Sequence, residues 1–206
     1  MPVQLNVLYE DENLLAVDKP PGVNSDNLKG RIHRLDQDTS GVLLIAKNKK
    51  ALDFFQKQFK QRRVKKKYLA LVIGTPKLEK GEIKGLIGRS PNDRRKQKVF
   101  SPLEPGAEGK REAITKYRVI KKFKRYTLVE AEPKTGRKHQ IRAHFAYLGH
   151  PLAGDKLYGF KNQPQPKGLK RHFLHASQIK IKLPSGKEKE IISPLPEDLK
   201  KVLKNI

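Results

Sequence analysis

Apolar positions in this chain fall into short runs of two different periods. Leu14 to Val17 and Val42 to Ala46 are continuous apolar runs of strand length, and Tyr68 to Ile73 is a third. The first is stopped by Lys19-Pro20-Pro21-Gly22 and the third by Gly74-Thr75-Pro76, both turn signals. Leu52, Phe55 and Phe59 repeat at helical spacing behind Asn48, a residue suited to cap a helix. That spacing predicts a helix whose Lys and Gln residues face water. Ile114 to Ile120 and Tyr126 to Glu132 predict a hairpin around the basic turn Lys121–Arg125. A turn at Pro133-Lys134-Thr135-Gly136 precedes a second predicted helix, with Ile141, Phe145 and Leu148 on its core face and Gly149 as its stop. Leu174 to Leu183 and Glu188 to Ile192 predict another hairpin, and Pro196 to Leu203 a short closing helix. Residues 23–33, 88–110 and 161–171 read as loops; 88–110 is polar, basic and rich in Gly and Pro, so it reads as long and exposed. Strands and helices do not alternate regularly. This order predicts an α+β fold with a largely antiparallel central sheet flanked by helices and loops. With no internal repeat and no clean linker, residues 1–206 read as one catalytic-size domain, or two closely fused halves.

Composition changes this picture in three ways. No apolar run approaches the roughly 18 to 20 residues of a membrane span, and the N-terminus lacks the basic-then-apolar order of a signal peptide. There is no cysteine, which excludes disulfides, zinc-thiolate sites and thiol catalysis. The expectation is a soluble cytoplasmic protein. Lys and Arg total 46 against 21 Asp and Glu, a formal net charge of +25. Such an excess attracts polyanions over long range. It is clustered: Lys60, Arg62, Arg63, Lys65, Lys66 and Lys67 form one group, Arg94, Arg95, Lys96 and Lys98 a second, and Lys121, Lys122, Lys124 and Arg125 a third. A surface tuned only for solubility mixes both signs.

Two stretches could carry chemistry. His33-Arg34-Leu35-Asp36-Gln37-Asp38-Thr39-Ser40-Gly41 is dense in polar groups and lies directly before a buried strand. If its start is extended, Arg34 and Asp36 share one face while Leu35 points into the core. Asp36 there could act as nucleophile or base, or could serve only a turn; for Asp38, Thr39 and Ser40 the turn is the stronger reading. In the second stretch, residues 135–144, Gly136 permits a tight turn at a helix start. Arg137, Lys138 and the nearby backbone N–H groups would favour an anion there. Arg142 lies beside the core-facing Ile141, near the buried edge, where an arginine pairs with a carboxylate or phosphate or simply faces water. Tyr68 opens an apolar strand after a basic run; it could stack on a base or be an ordinary core tyrosine. The histidines lack zinc-site spacing, and no phosphate-binding or dinucleotide glycine motif occurs.

HRLDQDTSGVLLIAK at 33–47 strongly resembles the signature of the RluA-like RNA pseudouridine synthases. LLAVDKPPG (14–22), KKYLALVIG (66–74), TGRKHQIRAHFAYLGHPLAGDKLYG (135–159) and RHFLHA (171–176) resemble four further motifs of that family, in the same order. The resemblance spans nearly the whole chain. It implies a pseudouridine-synthase-like fold and an isomerase that detaches uracil from its sugar, turns it and rejoins it through carbon 5, with no cofactor and no metal. By motif match Asp36 is the catalytic aspartate, attacking carbon 1′ of the sugar or removing the proton at carbon 2′. Arg142 matches the arginine that pairs with and orients that aspartate. Tyr68 matches the tyrosine that stacks on the target base and helps remove the carbon 5 proton. Arg34 matches the arginine that fills the space left by the flipped nucleotide, flipping being required because a stacked base is out of reach. The remaining candidates for RNA contact are His33, Lys66, Arg94, Lys98, Arg137 and His139. The implied partner is ribosomal or transfer RNA, bound by a monomer, with no membrane; the 88–110 loop would clamp it. The family often carries a small N-terminal RNA-binding domain, which this sequence does not show, and the connector between Gly22 and His33 is short for the family.

Two other readings compete on residues alone. A catalytically silent RNA-binding protein accounts for the charge but not for Arg-Leu-Asp at the head of a buried strand. A hydrolase could use Asp36 and Asp38 as a carboxylate pair, but the pair sits among turn residues.

Overall fold

The computed structural model describes residues 5–206, so the leader reading of the N-terminus falls partly outside the described residues. Ten strands, mostly antiparallel, and three helices form two compact units, an α+β architecture. The first unit comprises the chain up to Tyr68 plus His175–Pro196, and the second Leu69–Leu174 plus Glu197–Ile206.

In the first unit, β1 (Asn6–Glu10), β2 (Leu14–Lys19) and β3 (Ser40–Ala46) pair antiparallel in that order. The hairpin of β9 (Leu174–Lys182) and β10 (Glu188–Ile192) joins them through a short parallel pairing, Ser40 with His175 and Gly41 with Ala176. Strand alternation sorts the side chains into two clusters. Leu14, Ala16, Val42, Leu44, Ile179 and Ile181 pack against α1 (Lys49–Lys60). Val17, Leu43 and Ala176 pack with Leu35 and Tyr68. Helix α1 starts where the sequence predicts, with the Asn48 side chain accepting from Ala51 N at 2.8 Å. Its fully buried positions are Ala51, Phe55 and Gln58; Leu52 and Phe59 are only partly covered. Gln58 is buried because its amide bonds both backbone groups of Lys182, at 2.9 and 3.1 Å, fastening the helix to β9.

The second unit begins within β4 (Lys65–Ile73) and orders its strands β4, β8 (Tyr126–Pro133), β7 (Arg111–Lys122), β5 (Lys80–Arg89) and β6 (Gln97–Phe100). Helices α2 (Gln140–Tyr147) and α3 (Glu197–Lys204) belong to it. The β7–β8 hairpin matches its expected position. The long exposed loop expected at 88–110 is corrected in part: the end of β5 pairs with β6 within it, and Val99, Phe100 and Ala107 are buried, while 90–96 and 101–110 carry no strand or helix. Of its glycines, Gly106 and Gly109 do serve turns, with φ 80 and 69, whereas Gly88 lies in β5, where a Cβ would lie 2.2 Å from the Lys110 side chain; two glycines just before the expected loop also make room for neighbours. A Cβ on Gly81 would lie 2.7 Å from the Tyr117 ring, and one on Gly85 would lie 2.5 Å from a Val99 methyl. Strand β1 was not expected either, since its residues are mostly exposed. Helix α2 starts at Gln140, and the left-handed residue before it is His139 (φ 55) rather than Gly136. Leu148, assigned to the core face, is instead a partly exposed C-cap.

Gly41 stands where no other residue fits. Its φ is +113, and a Cβ there would lie 2.2 Å from the Ala176 carbonyl oxygen across the parallel pairing. Gly41→Ala should therefore cost about 3 kcal/mol of stability, read from the midpoint of urea unfolding.

His144, on α2, is wholly buried, and neither ring nitrogen has a hydrogen-bond partner among the described residues. Burial holds its pKa down to about 4, against 6.5 for an unhindered ring. The unfolded chain therefore binds a proton that the folded one refuses between those values. This contribution to stability is complete above about pH 6.5 and is lost as pH falls towards 4. Urea unfolding followed across that window should show wild-type stability falling, and a His144→Leu variant falling less steeply.

Candidate active site

The first unit presents Asp36 on a segment tied down on every side. Lys19 ends β2 with its side chain wholly buried, and its ammonium donates to Pro20 O (2.8 Å), Val23 O (2.9 Å) and Gln37 O (2.8 Å). Gly22 N also donates to Gln37 O at 2.9 Å, and the Gln37 amide returns a bond to Gly22 O. One residue before Asp36, the Leu35 backbone is clasped by buried Ser25, whose hydroxyl donates to Leu35 O (2.9 Å) and accepts from Leu35 N (3.2 Å). Thr39 N donates to Asp36 O at 3.0 Å, closing the turn. Leu35 is buried, Arg34 exposed and Asp36 partly exposed, the alternation expected of an extended approach.

The strand that follows is anchored by a buried relay. Ser193 O can only accept, so His175 Nε2 carries the proton that bonds it at 3.0 Å. The ring's other nitrogen, Nδ1, bonds Ser40 Oγ at 3.0 Å. Ser40 therefore starts β3 with its hydroxyl turned to His175. Tyr68 packs in the same cluster as Leu35 and Leu43. Burial chiefly, and the negative charge of Asp36, push its phenol well above the usual tyrosine range. Tyr68 is therefore a protonated phenol at neutral pH.

Three other candidates lie in this unit. Arg34 is about half exposed and reaches Asp26 at 3.3 Å, with Arg31 on the same carboxylate at 2.9 Å. His33 turns inward: its Nε2 accepts from Leu44 N at 3.1 Å, and its ring stacks on Phe59 with centroids 5.0 Å apart. Burial chiefly, with the Lys66 charge nearby, lowers its pKa to about 3, so the ring is neutral. Lys66 extends towards the same Phe59 ring, its ammonium 6.0 Å from the centroid, and burial lowers its pKa to about 8.

The second unit holds the remaining candidates. Arg142 is buried and forks onto Asp155, Nε to Oδ2 at 2.7 Å and an outer nitrogen to Oδ1 at 2.9 Å. Burial works to raise the Asp155 carboxyl, but the bonds and charge of Arg142, the charge of His172 and the Tyr158 N–H outweigh it and hold the group below its ordinary value. Asp155 Oδ1 also accepts from Leu157 N and Tyr158 N. The guanidinium lies 5.0 Å from the centroid of the Tyr158 ring. The Tyr158 hydroxyl bonds His139 Nδ1 at 3.0 Å and accepts from Gln97 N at 2.7 Å. His139 and Arg142 are thus brought together around Tyr158. Arg137 donates to Glu112 O and is fixed through Gln140, whose buried amide also bonds Thr135, Thr115 and Ile114. Arg94 is exposed in the β5–β6 turn, whereas Lys98 pairs with Glu104 at 2.5 Å over the Phe100 ring.

Sequence reasoning missed Lys19, Asp155 and Tyr158. All three lie inside motifs already singled out, DKPPG and GDKLYG, which was the available signal. Among the described residues no group of three or more His, Cys, Asp or Glu side chains could hold a metal, and no helix is long and apolar enough to cross a membrane.

Residues 27–147, more than half the chain, match the family model described as RNA pseudouridylate synthase. The chain belongs to this family. A ribosomal large subunit pseudouridine synthase C from Vibrio parahaemolyticus is 36% identical over 96% of the chain and 68% of its own length. A ribosomal large subunit pseudouridine synthase D from Nitrosomonas europaea is 38% identical over 99% of the chain and 66% of its own length. Among solved structures, human RNA pseudouridylate synthase domain containing 1 superposes with a TM-score of 0.84 at 29% identity, covering 97% of the chain and 87% of that protein. This pseudouridine synthase is accordingly an isomerase acting on RNA.

The Lys19 arrangement makes a sharp expectation for the synthase. Lys19→Met keeps the stem but removes the donor of Pro20 O and Val23 O and one of the two donors of Gln37 O, so it should cost about 3 kcal/mol of stability. Activity per folded molecule should also fall at least about tenfold, since a shift of about 1 Å at a reacting group is enough for that. Calorimetry alongside tritium release from carbon 5 of uridine in RNA reads both.

Proposed function

We propose that this synthase converts uridine in large-subunit ribosomal RNA, with Asp36, Tyr68 and Arg142 as its catalytic residues. The observation that carries the assignment is the relation of Asp36 to Tyr68. A partly exposed carboxylate stands on a braced turn, and its charge is felt by a buried phenol in the same unit. A flipped uridine stacked on Tyr68 would bring its sugar to that carboxylate. Asp36 then attacks carbon 1′ or removes the proton at carbon 2′; either way the bond from carbon 1′ to base nitrogen breaks. The base turns, carbon 5 bonds carbon 1′, and the carbon 5 proton leaves to solvent. Tyr68, protonated at rest, serves as platform and hydrogen-bond donor in preference to acting as base.

Arg142 is the group that motif similarity assigns as the partner of Asp36, and we carry that assignment as part of the proposal. Its support is the fork to Asp155 and the Tyr158 ring, which hold the guanidinium in one orientation. Arg34, exposed and held only by the surface carboxylate of Asp26, suits the part of filling the gap left by the flipped nucleotide. Arg94, Arg137, His139, Lys66 and Lys98 remain assigned to RNA contact. His33 is turned inward, so we give it the task of positioning the loop. The relatives named for the large ribosomal subunit favour that RNA over transfer RNA, and the cytoplasm as the place of action, with a single chain as the working unit.

The test uses ribosomal RNA transcripts carrying tritium at uridine carbon 5. Wild-type protein should release tritium from the large-subunit transcript and not from a transfer RNA pool. Asp36→Asn should lose about a thousandfold or more in rate while keeping its RNA affinity. Release by the variant at the wild-type rate would sink the assignment of Asp36, and strand cleavage or free uracil would point to a hydrolase.

A further inference from the structure

The first unit contains a cleft that the reaction does not use. It measures about 520 Å³ and lies between the exposed flank of α1 and the end of the β9–β10 hairpin. Five cations line it, Lys57, Arg63, Lys65, Lys180 and Lys182, and one acid, Glu188. Lys180 takes up Glu188 at 2.6 Å. Lys65 and Lys182 help hold that carboxyl low, yet neither is within ion-pair distance of it, and Lys57 and Arg63 have no ion-pair partner among the described residues. Four cations therefore line one cleft without an ion pair of their own.

Three features distinguish the cleft from an ordinary solvated face. Its walls are rigid, because Gln58 bonds both backbone groups of Lys182 and so joins the two sides. Its floor includes Phe54, a partly covered ring suited to lie under a base. The turn that delivers Arg63 and Lys65 is also unusual. Arg62 there adopts a left-handed conformation (φ 58), with Arg62 N bonding Phe59 O and Arg63 N bonding Gln58 O. Glycine commonly fills such a position after a helix, since it alone avoids strain there. Compensation of the α1 C-terminal dipole accounts for Lys57 alone; it does not reach Lys182 on the hairpin.

We propose that this cleft, on the α1 side of the sheet, binds the phosphodiester backbone of the substrate RNA away from the reacting uridine. The proposal rests on the reading of Tyr68 as the base platform. Lys65 and Tyr68 are three residues apart on β4, about 10 Å at strand rise. That odd separation turns their side chains to opposite faces of the strand; Phe54, Ile181 and Leu183 of the cleft belong to the cluster on the α1 side and Tyr68 to the other, so RNA seated on Tyr68 reaches the cleft by passing round β4. The cleft holds RNA by charge and reads no base edge.

The test neutralises Lys57, Arg63, Lys65 and Lys182 together (each to Gln) in the full chain. A control variant neutralises Lys50, Lys77, Lys161 and Lys204, which are exposed elsewhere. Binding of an oligouridylate of about twelve nucleotides is measured against salt. The slope of log affinity with log salt should flatten by about 3 in the cleft variant, four phosphate contacts at about 0.7 each, and stay near wild type in the control. On tritiated large-subunit transcript, KM should rise about tenfold or more with kcat little changed. Exchanging Lys and Arg at the four positions should preserve both values, and matched urea midpoints exclude misfolding. Equal slopes in the cleft and control variants would overturn the proposal. A wild-type protein that releases no tritium would instead sink the reading of Tyr68 and Asp36, while the binding slopes still judge the cleft.

Discussion

The Lys19 ammonium has no contact with bulk water, and its three protons are taken by carbonyl oxygens of Pro20, Val23 and Gln37. A buried charge is tolerable only when its hydrogen-bonding capacity is met in full. Here that requirement works as a constraint on the backbone. The Pro20-Pro21-Gly22 turn and the Gln37 turn stay together, because separating them would cost the buried ammonium its bond to Gln37 O. Asp36 is the residue next to Gln37, so its position follows from this knot, from the Ser25 clasp on Leu35 and from the Ser40–His175–Ser193 relay behind it.

The second unit uses the same device with opposite charge. Asp155 is buried and would favour protonation on that ground, yet the Arg142 fork and two backbone N–H groups keep it anionic. Buried ion pairs contribute little net stability once desolvation is counted. What this one supplies is orientation: a bidentate guanidinium cannot rotate, and the Tyr158 ring covers its face. The strained backbone at His139 is held by the same Tyr158 hydroxyl. A guanidinium fixed in this way needs no reorganisation when a ligand arrives.

Charge acts on two length scales in this enzyme. The net +25 draws RNA from a distance, and salt screens that attraction. Close in, individual cations differ. Lys98 is engaged by Glu104, and Lys66 has lost part of its basicity to burial, whereas in the cleft beside α1 five cations share one carboxylate, Glu188, which only Lys180 pairs directly. The compositional excess is thus one fact, and the different surroundings of its individual cations are another.

Sequence alone determined the fold class, the runs that became β2, β3, β4 and the β7–β8 hairpin, the Asn48 cap and the family motifs. These depend on local periodicity and on residues with strong local preferences, which survive without knowledge of neighbours. The β5–β6 hairpin was illegible because Gly81 and Gly85 make room for Tyr117 and Val99, partners distant in the chain, and a glycine read locally signals a loop. Lys19, Asp155 and Tyr158 were passed over for the same reason: a lysine, an aspartate and a tyrosine each look like surface residues until burial and partners are known. Which guanidinium is braced, which histidine is starved of partners and which cations share a cleft are matters of distance between remote segments, and only the tertiary structure decides them.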